Sequence, residues 1–311
     1  MIGTGRGTRD EAALASIMVP ELSLWRRAAA VLSLLVFTLA GLGLAVGAPP
    51  SQAYYEFNLQ RLREFQAAHA TKAPGTLRVV MLGNSRLKNG TIETAQIERW
   101  AAERGYAGIE AFRLVANWAV FRNFAPLLDQ VRALQPDVYV VQMDLLIDDM
   151  APTFESHLAF NYLRWLTAGD GTWSWYEPQD EQLGLVCTDE GQPEMRAARA
   201  VLKLTGDPTS ESPQLARAFI REVTATGAEV LLVSVPKSDA FELVSPSVND
   251  AMLTAAQQVA AELPSVTVAP FVGSLPDNHF CDVTHLNHQG AAAYSRWLVE
   301  QLVTIEIADL R

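Results

Sequence analysis

Cysteine is nearly absent from this chain, with only Cys187 and Cys281 among 311 residues. That scarcity excludes a small disulfide-built scaffold and any multi-cysteine zinc module. Basic residues are also in short supply: 24 Lys and Arg stand against 35 Asp and Glu, a formal charge of −11. Nucleic acid is thereby excluded as the main partner, because phosphate binding needs a clustered excess of Lys and Arg. No internal repeat or low-complexity tract is present, and no H-E-x-x-H occurs. The Gly-containing stretch GNSRLKNG (83–90) fits neither G-x-G-x-x-G nor G-x-x-x-x-G-K-[ST], which removes a nucleotide-phosphate loop. Apolar material is plentiful: 49% of residues are hydrophobic and 19% charged, enough for a sizeable core and incompatible with global disorder.

Part of that apolar material is concentrated near the front. Ala28–Val46 is almost purely apolar, and no charged residue occurs from Ala28 to Tyr55. As a helix the run would be about 28 Å long, close to the ~30 Å hydrocarbon core of a bilayer. Arg26 and Arg27 precede it and Pro49-Pro50 follow. The positive-inside rule then predicts a cytoplasmic segment 1–27, a transmembrane helix 28–48, a stalk 49–76 and an extracytoplasmic body 77–311. A cleaved signal peptide is the rival reading, since Ser51-Gln52-Ala53 resembles a cleavage site. The length of the run and of the segment before it favours an anchor. Outside the cytoplasm, Cys187 and Cys281 are expected to form a disulfide. Closing a loop of about 94 residues contributes at most ~4–5 kcal/mol in the chain-entropy picture. Two unrelated buried thiols are the alternative.

The body alternates strand and helix patterns. Leu77–Leu82, Ile109–Val115, Asp137–Met143, Glu229–Val235 and Val266–Ala269 read as strands. Ile92–Glu103, Phe121–Leu134, Pro213–Thr226, Val248–Glu262 and Gly290–Val303 read as helices. This rhythm predicts right-handed βαβ crossovers in an α/β fold, a three-layer doubly wound parallel sheet of flavodoxin-like type. Residues 145–212 break the rhythm and carry Tyr162, Trp165, Trp173, Trp175 and Tyr176. They read as an insertion, helical over Phe154–Leu166, following a strand's carboxyl end, where open α/β sheets bind ligands. Its aromatics either stack on sugar rings or pack the insertion onto the core.

Ser85 directly follows the first strand, at the carboxyl edge of the sheet. A serine needs a base, and the base needs a partner that sets its tautomer and stabilises the imidazolium. Asp282 and His285 supply that pair within one loop just before the last helix. In a doubly wound sheet that loop lies along the same edge as Ser85. His279, Asp282, His285 and His288 recur every third residue, which leaves a metal site as a weaker alternative. Neither a metal nor any cofactor is otherwise implied.

L-G-N-S at 82–85 together with D-x-x-H at 282–285 resembles the SGNH (GDSL-type) hydrolases. With the front apolar run and an H-L-N-x-x-G ending (His285, Leu286, Asn287, Gly290), the chain is similar to the anchored proteins that partner membrane-bound O-acyltransferases. Those include the alginate O-acetylation and teichoic-acid D-alanylation accessory proteins. The resemblance spans roughly residues 77–303. It implies that Ser85 is the nucleophile, His285 the general base and Asp282 its orienter, with Asn84, Asn117 and Arg122 at oxyanion or substrate positions. Two departures stand out. Arg122 falls where the family's second block has a Gly. Gln142-Met143-Asp144-Leu145 stands where the third block supplies an Asn, and an ionised Asp144 cannot donate a hydrogen bond.

The function expected is a membrane-anchored extracytoplasmic serine esterase or O-acyltransferase. It would act on an envelope or secreted polysaccharide or other acylated glycan, beside a membrane-bound O-acyltransferase partner. The alternatives are a catalytically weak polysaccharide-binding or scaffold subunit of such a complex and, more remotely, a metal-dependent hydrolase.

Overall fold

The computed structural model describes residues 31–33, 50–106, 108–116, 119–147, 208–239, 241, 246–282 and 284–309. The chain divides into two units, residues 1–50 and 51–311. Of the first unit only 31–33 and Pro50 are described; 31–33 are helical, and Val31 and Leu32 are exposed. The expected transmembrane run, save for those three residues, lies outside the described residues. So do segment 1–27, residues 148–207 of the insertion, and Cys187. Among the described residues no helix is long and apolar enough to cross a membrane.

The second unit is built on five parallel strands: β1 (Leu77–Gly83), β2 (Ile109–Val115), β3 (Val138–Gln142), β4 (Glu229–Val233) and β5 (Val266–Ala269), in the spatial order β2-β1-β3-β4-β5. This is the order expected for a flavodoxin-like doubly wound sheet, with the chain reversing direction of growth between β1 and β3. The register pairs Leu82 with both Leu114 and Val141, so the carboxyl ends of β1, β2 and β3 finish level with one another. Every residue of β1 and β3 is buried, as in a parallel sheet covered on both faces. Period-two alternation divides the side chains. Val80, Leu82, Tyr139, Val141 and Leu232 enter one apolar cluster, and Val79, Met81, Val140, Leu231 and Val233 enter the other.

The first cluster is closed by α1 (Pro50–Ala68), the 3₁₀ turn Phe121–Leu127 with α4 (Leu128–Ala133), α5 (Glu211–Ala225) and α6 (Pro246–Glu262). The second is closed by α2 (Ser85–Gly90), α3 (Thr94–Glu103) and α7 (His288–Asp309). The helix predicted over Phe121–Leu134 starts as 3₁₀ because Pro126 lacks the N–H that an α-turn would need there.

The segment expected to be a stalk is instead, over α1, part of the folded body. Leu59 and Leu62 are buried in the first cluster. Asn58 Nδ2 donates to the Val115 carbonyl at 3.2 Å, and Arg61 Nη1 to the Arg113 carbonyl at 3.0 Å. Both carbonyls belong to β2, the edge strand, whose outward-facing acceptors would otherwise invite pairing with another chain. The helix covers that edge with side-chain donors in place of a sixth strand.

Candidate active site

β1 ends in Gly83, and the chain turns at once into α2 with Asn84 as its N-cap, the Asn84 Oδ1 accepting from Arg86 N at 3.0 Å. A Cβ at Gly83 would overlap the Leu87 side chain and lie 2.7 Å from Gln142 Oε1. Only glycine lets the helix start so close to the strand end. Ser85, the first residue of α2, is half-buried at the carboxyl edge of the sheet.

The partner loop is built from the other end of the chain. Phe280 and Leu286, both fully buried, form an isolated antiparallel bridge, and Cys281 N donates to the His285 carbonyl at 2.8 Å. This closes residues 281–285 into a tight loop. Asp282 Oδ1 accepts from Thr284 N (2.8 Å), Thr284 Oγ1 (3.0 Å) and His285 N (3.0 Å), so the aspartate organises its own loop as an Asx-turn does. Asn287 fixes the loop to α7. Its Oδ1 accepts from Gln289 N and Gly290 N, and its Nδ2 donates to the Asn278 carbonyl. Gly290 packs so tightly that a Cβ would overlap the His279 carbonyl oxygen. Leu286, Asn287 and Gly290 of the H-L-N-x-x-G ending are therefore the residues that seat the loop.

The two distant pieces meet. His285 Nε2 lies 2.9 Å from Ser85 Oγ, across 200 residues of sequence. His285 Nδ1 lies 2.9 Å from Asp282 Oδ2 and 3.1 Å from Oδ1. Asp282 is buried and His285 largely so, its side chain 17% exposed. A carboxylate accepts only, so Nδ1 carries the proton and Nε2 presents its lone pair to the serine hydroxyl. That is the geometry in which an imidazole draws a proton from an alcohol.

Three comparisons with known proteins bear on this arrangement. No protein-family model matches the chain, and no curated protein matches it. Among solved structures, a lipase/acylhydrolase from Enterococcus faecalis aligns at TM-score 0.42 and 12% identity, covering 73% of this chain and 95% of that one. An acetyl xylan esterase, AlAXEase, aligns at 0.39 and 11%, covering 73% and 98%. A carbohydrate esterase family 2 enzyme with a carbohydrate binding domain, from Corynascus thermopiles (Myceliophthora fergusii), aligns at 0.42 and 12%, covering 76% and 68%. These neighbours are esterases and acylhydrolases. Likenesses this distant leave the function to be read from the side chains.

The remaining predicted site residues fall as follows. Asn84 is buried; its side-chain oxygen caps α2, and its N–H donates to Gln142 Oε1 at 2.9 Å. Arg122 is exposed on the 3₁₀ turn, and its N–H donates to Ser212 Oγ at 3.2 Å. Asn117 lies outside the described residues. Cys281, beside Asp282, holds its Sγ 3.4 Å from the Leu286 carbonyl oxygen. Among the described residues no cluster of three His, Cys, Asp or Glu side chains could hold a metal ion. His279 is half-buried and His288 is exposed.

Sequence reasoning passed over Thr284, whose backbone and hydroxyl both hold Asp282; the D-x-T-H spacing of an Asx-turn was the available clue. It also passed over Arg86 and Lys237, which meet Asp144 beneath Ser85. Arg86 pairs with Asp144, Lys237 Nζ lies 4.0 Å from the same carboxylate oxygen, and all three residues are buried. On the other side of α2, burial pushes the Lys88 ammonium below its ordinary pKa, helped by the neighbouring guanidinium groups of Arg113 and Arg61. Arg113, itself buried and next to Arg61, is lowered to about 9.

Proposed function

We propose that the protein is a serine esterase or O-acyltransferase that works through an acyl-serine intermediate. The observation that carries this reading is the continuous Ser85–His285–Asp282 relay, with both hydrogen bonds at 2.9 Å. His285 Nε2 takes the proton as Ser85 Oγ forms a bond to an acyl carbonyl carbon, and Asp282 stabilises the imidazolium through Nδ1. His285 returns the proton to the departing alkoxide as the ester C–O bond breaks, leaving acyl-Ser85. A sugar hydroxyl or a water, deprotonated by the same imidazole, then attacks and frees the serine. The Ser85 N–H and Asn117 are the groups assigned to the developing oxyanion; one such donor is typically worth ~3–4 kcal/mol of transition-state stabilisation.

The finer parts of the reading are membrane anchoring through 28–48, an extracytoplasmic body, a polysaccharide acceptor and an O-acyltransferase partner in the membrane. The uncharged run with Arg26 and Arg27 before it supports the anchor. Tethering beside a membrane partner raises effective concentration and so favours transfer over hydrolysis. The aromatic-rich insertion supports a glycan. A Cys187–Cys281 disulfide belongs to the same reading. A second reading, a scaffold with weak chemistry, has one observation in its favour. Asp144 stands where the resemblance calls for an Asn donor, and its carboxylate is engaged with Arg86 and Gln142.

The test is hydrolysis of p-nitrophenyl acetate by the full chain and by Ser85→Ala. The relay predicts a loss on the order of 10³-fold or more in kcat/KM. Equal rates for the two proteins would overturn the acyl-serine reading. Adding an oligosaccharide acceptor and following acetylated product then separates transfer from hydrolysis.

A further inference from the structure

The end of β3 reaches under the turn that carries Ser85. Gln142, fully buried, accepts from Asn84 N through Oε1 at 2.9 Å and donates from Nε2 to Asp144 Oδ2 at 2.7 Å. The other oxygen of Asp144 pairs with the Arg86 guanidinium. Arg86 N–H closes the circuit by donating to Asn84 Oδ1 at 3.0 Å. The residues on both sides of the nucleophile are therefore tied to one carboxylate, Asn84 through the Gln142 amide and Arg86 directly. Gly83 makes the approach possible, since any side chain there would meet Gln142.

We infer that Asp144, acting through Gln142 and Arg86, is a positioning residue that holds Ser85 Oγ on His285 Nε2. The inference rests on the acyl-serine reading above and names what aligns its nucleophile. An aspartate is required by the donor count. The group must accept from an amide NH₂ and a guanidinium at once, and a carboxylate offers two accepting oxygens and no donor. An Asn at 144 would turn its own NH₂ toward one of those donors and break one tie without changing shape. The departure from the family pattern at 144 thus has a use: the position supports the serine turn from below. Misplacing a nucleophile by about 1 Å can cost on the order of 10²-fold in rate.

The experiment uses the full chain and a reporter-tagged fluorophosphonate, which forms an Oγ–P bond to an activated serine as fluoride and the hydroxyl proton leave. Rate constant and final labelled fraction are read separately. Asp144→Asn and Arg86→Gln are each expected to slow labelling about tenfold to hundredfold, with the labelled fraction and the KM for p-nitrophenyl acetate nearly unchanged. Asp144→Glu, which keeps two accepting oxygens, recovers part of the rate. The double variant is no slower than the slower single one, because the two residues act through one pair. Gln142→Glu opposes Asp144 and gives the same slowing, so the test stands even where an Arg86 variant does not fold. Unchanged rate constants with a reduced labelled fraction would reduce Asp144 to a structural role and overturn the inference. So would losses that multiply in the double variant. Wild-type protein that does not label, or labels as well as Ser85→Ala, would instead bring down the nucleophile assignment itself.

Discussion

Replacing Asp282 by Asn separates the proposed catalytic role of that residue from its structural one. In the structure Oδ1 accepts three loop donors, from Thr284 N, Thr284 Oγ1 and His285 N, while Oδ2 lies 2.9 Å from His285 Nδ1. Asn keeps an oxygen for the three loop donors, so the 281–285 loop retains its shape. Its NH₂ then replaces Oδ2 and faces Nδ1. A donor against Nδ1 forces the ring proton onto Nε2, and Nε2 can no longer accept from Ser85 Oγ. The cost of the wrong tautomer in such a relay is about 10⁴-fold in kcat, which is about 5.5 kcal/mol in activation free energy. Stability should change by less than about 1 kcal/mol because the loop donors stay satisfied. Asp282→Leu, by contrast, orphans buried donors at about 1–3 kcal/mol each. The assay pairs steady-state hydrolysis of p-nitrophenyl acetate with a urea midpoint on the same preparations. A kcat for Asp282→Asn within tenfold of wild type would refute the assignment of Asp282 as the group that sets the His285 tautomer.

Two other outcomes follow from packing and burial. Gly290→Ala drives a methyl into the His279 carbonyl, and is expected to cost about 2–3 kcal/mol in urea unfolding; a change under about 0.5 kcal/mol would contradict the close approach. Burial pushes the Tyr139 phenol up to about 12, opposed in part by Arg132. A folded pKa above the unfolded value of about 10 means that this contribution is complete below pH 10 and is lost as pH rises toward 12. Comparing urea midpoints near pH 9 and near pH 11.5, Tyr139→Phe should therefore lose about 2 kcal/mol less than wild type. Tyr294, fully buried, is displaced in the same direction and adds to the alkaline loss in both proteins. Equal losses in wild type and Tyr139→Phe would show that the phenol does not carry this linkage.

The strands were legible because parallel strands buried on both faces read as short continuous apolar runs; Ile109–Val115 and Val266–Ala269 have the predicted bounds. Ser85, Asp282 and His285 were legible because two of the three lie in one loop, leaving a single long-range approach to guess. α1 was harder to place. Its apolar stripe is narrow, Tyr55, Leu59, Leu62 and Phe65, and the polar residues between them, including the Asn58 and Arg61 that serve the carbonyls of an edge strand, make the segment read as a solvated stalk. The Arg86–Asp144 pair was hidden by 58 residues of separation and by the habit of placing charges on surfaces. Once Gln142 and Asp144 are seen under Asn84 and Arg86, the apparent defect at 144 becomes a support for the nucleophile.

The measurement closest to the central claim is rapid quenching of the full chain with p-nitrophenyl acetate, followed by peptide mass spectrometry. The account predicts an acetyl group on the peptide containing Ser85, formed in the burst and absent from Ser85→Ala and His285→Ala. Release of p-nitrophenol with no adduct on that peptide, or with a transient acetyl carried by another residue, would contradict it.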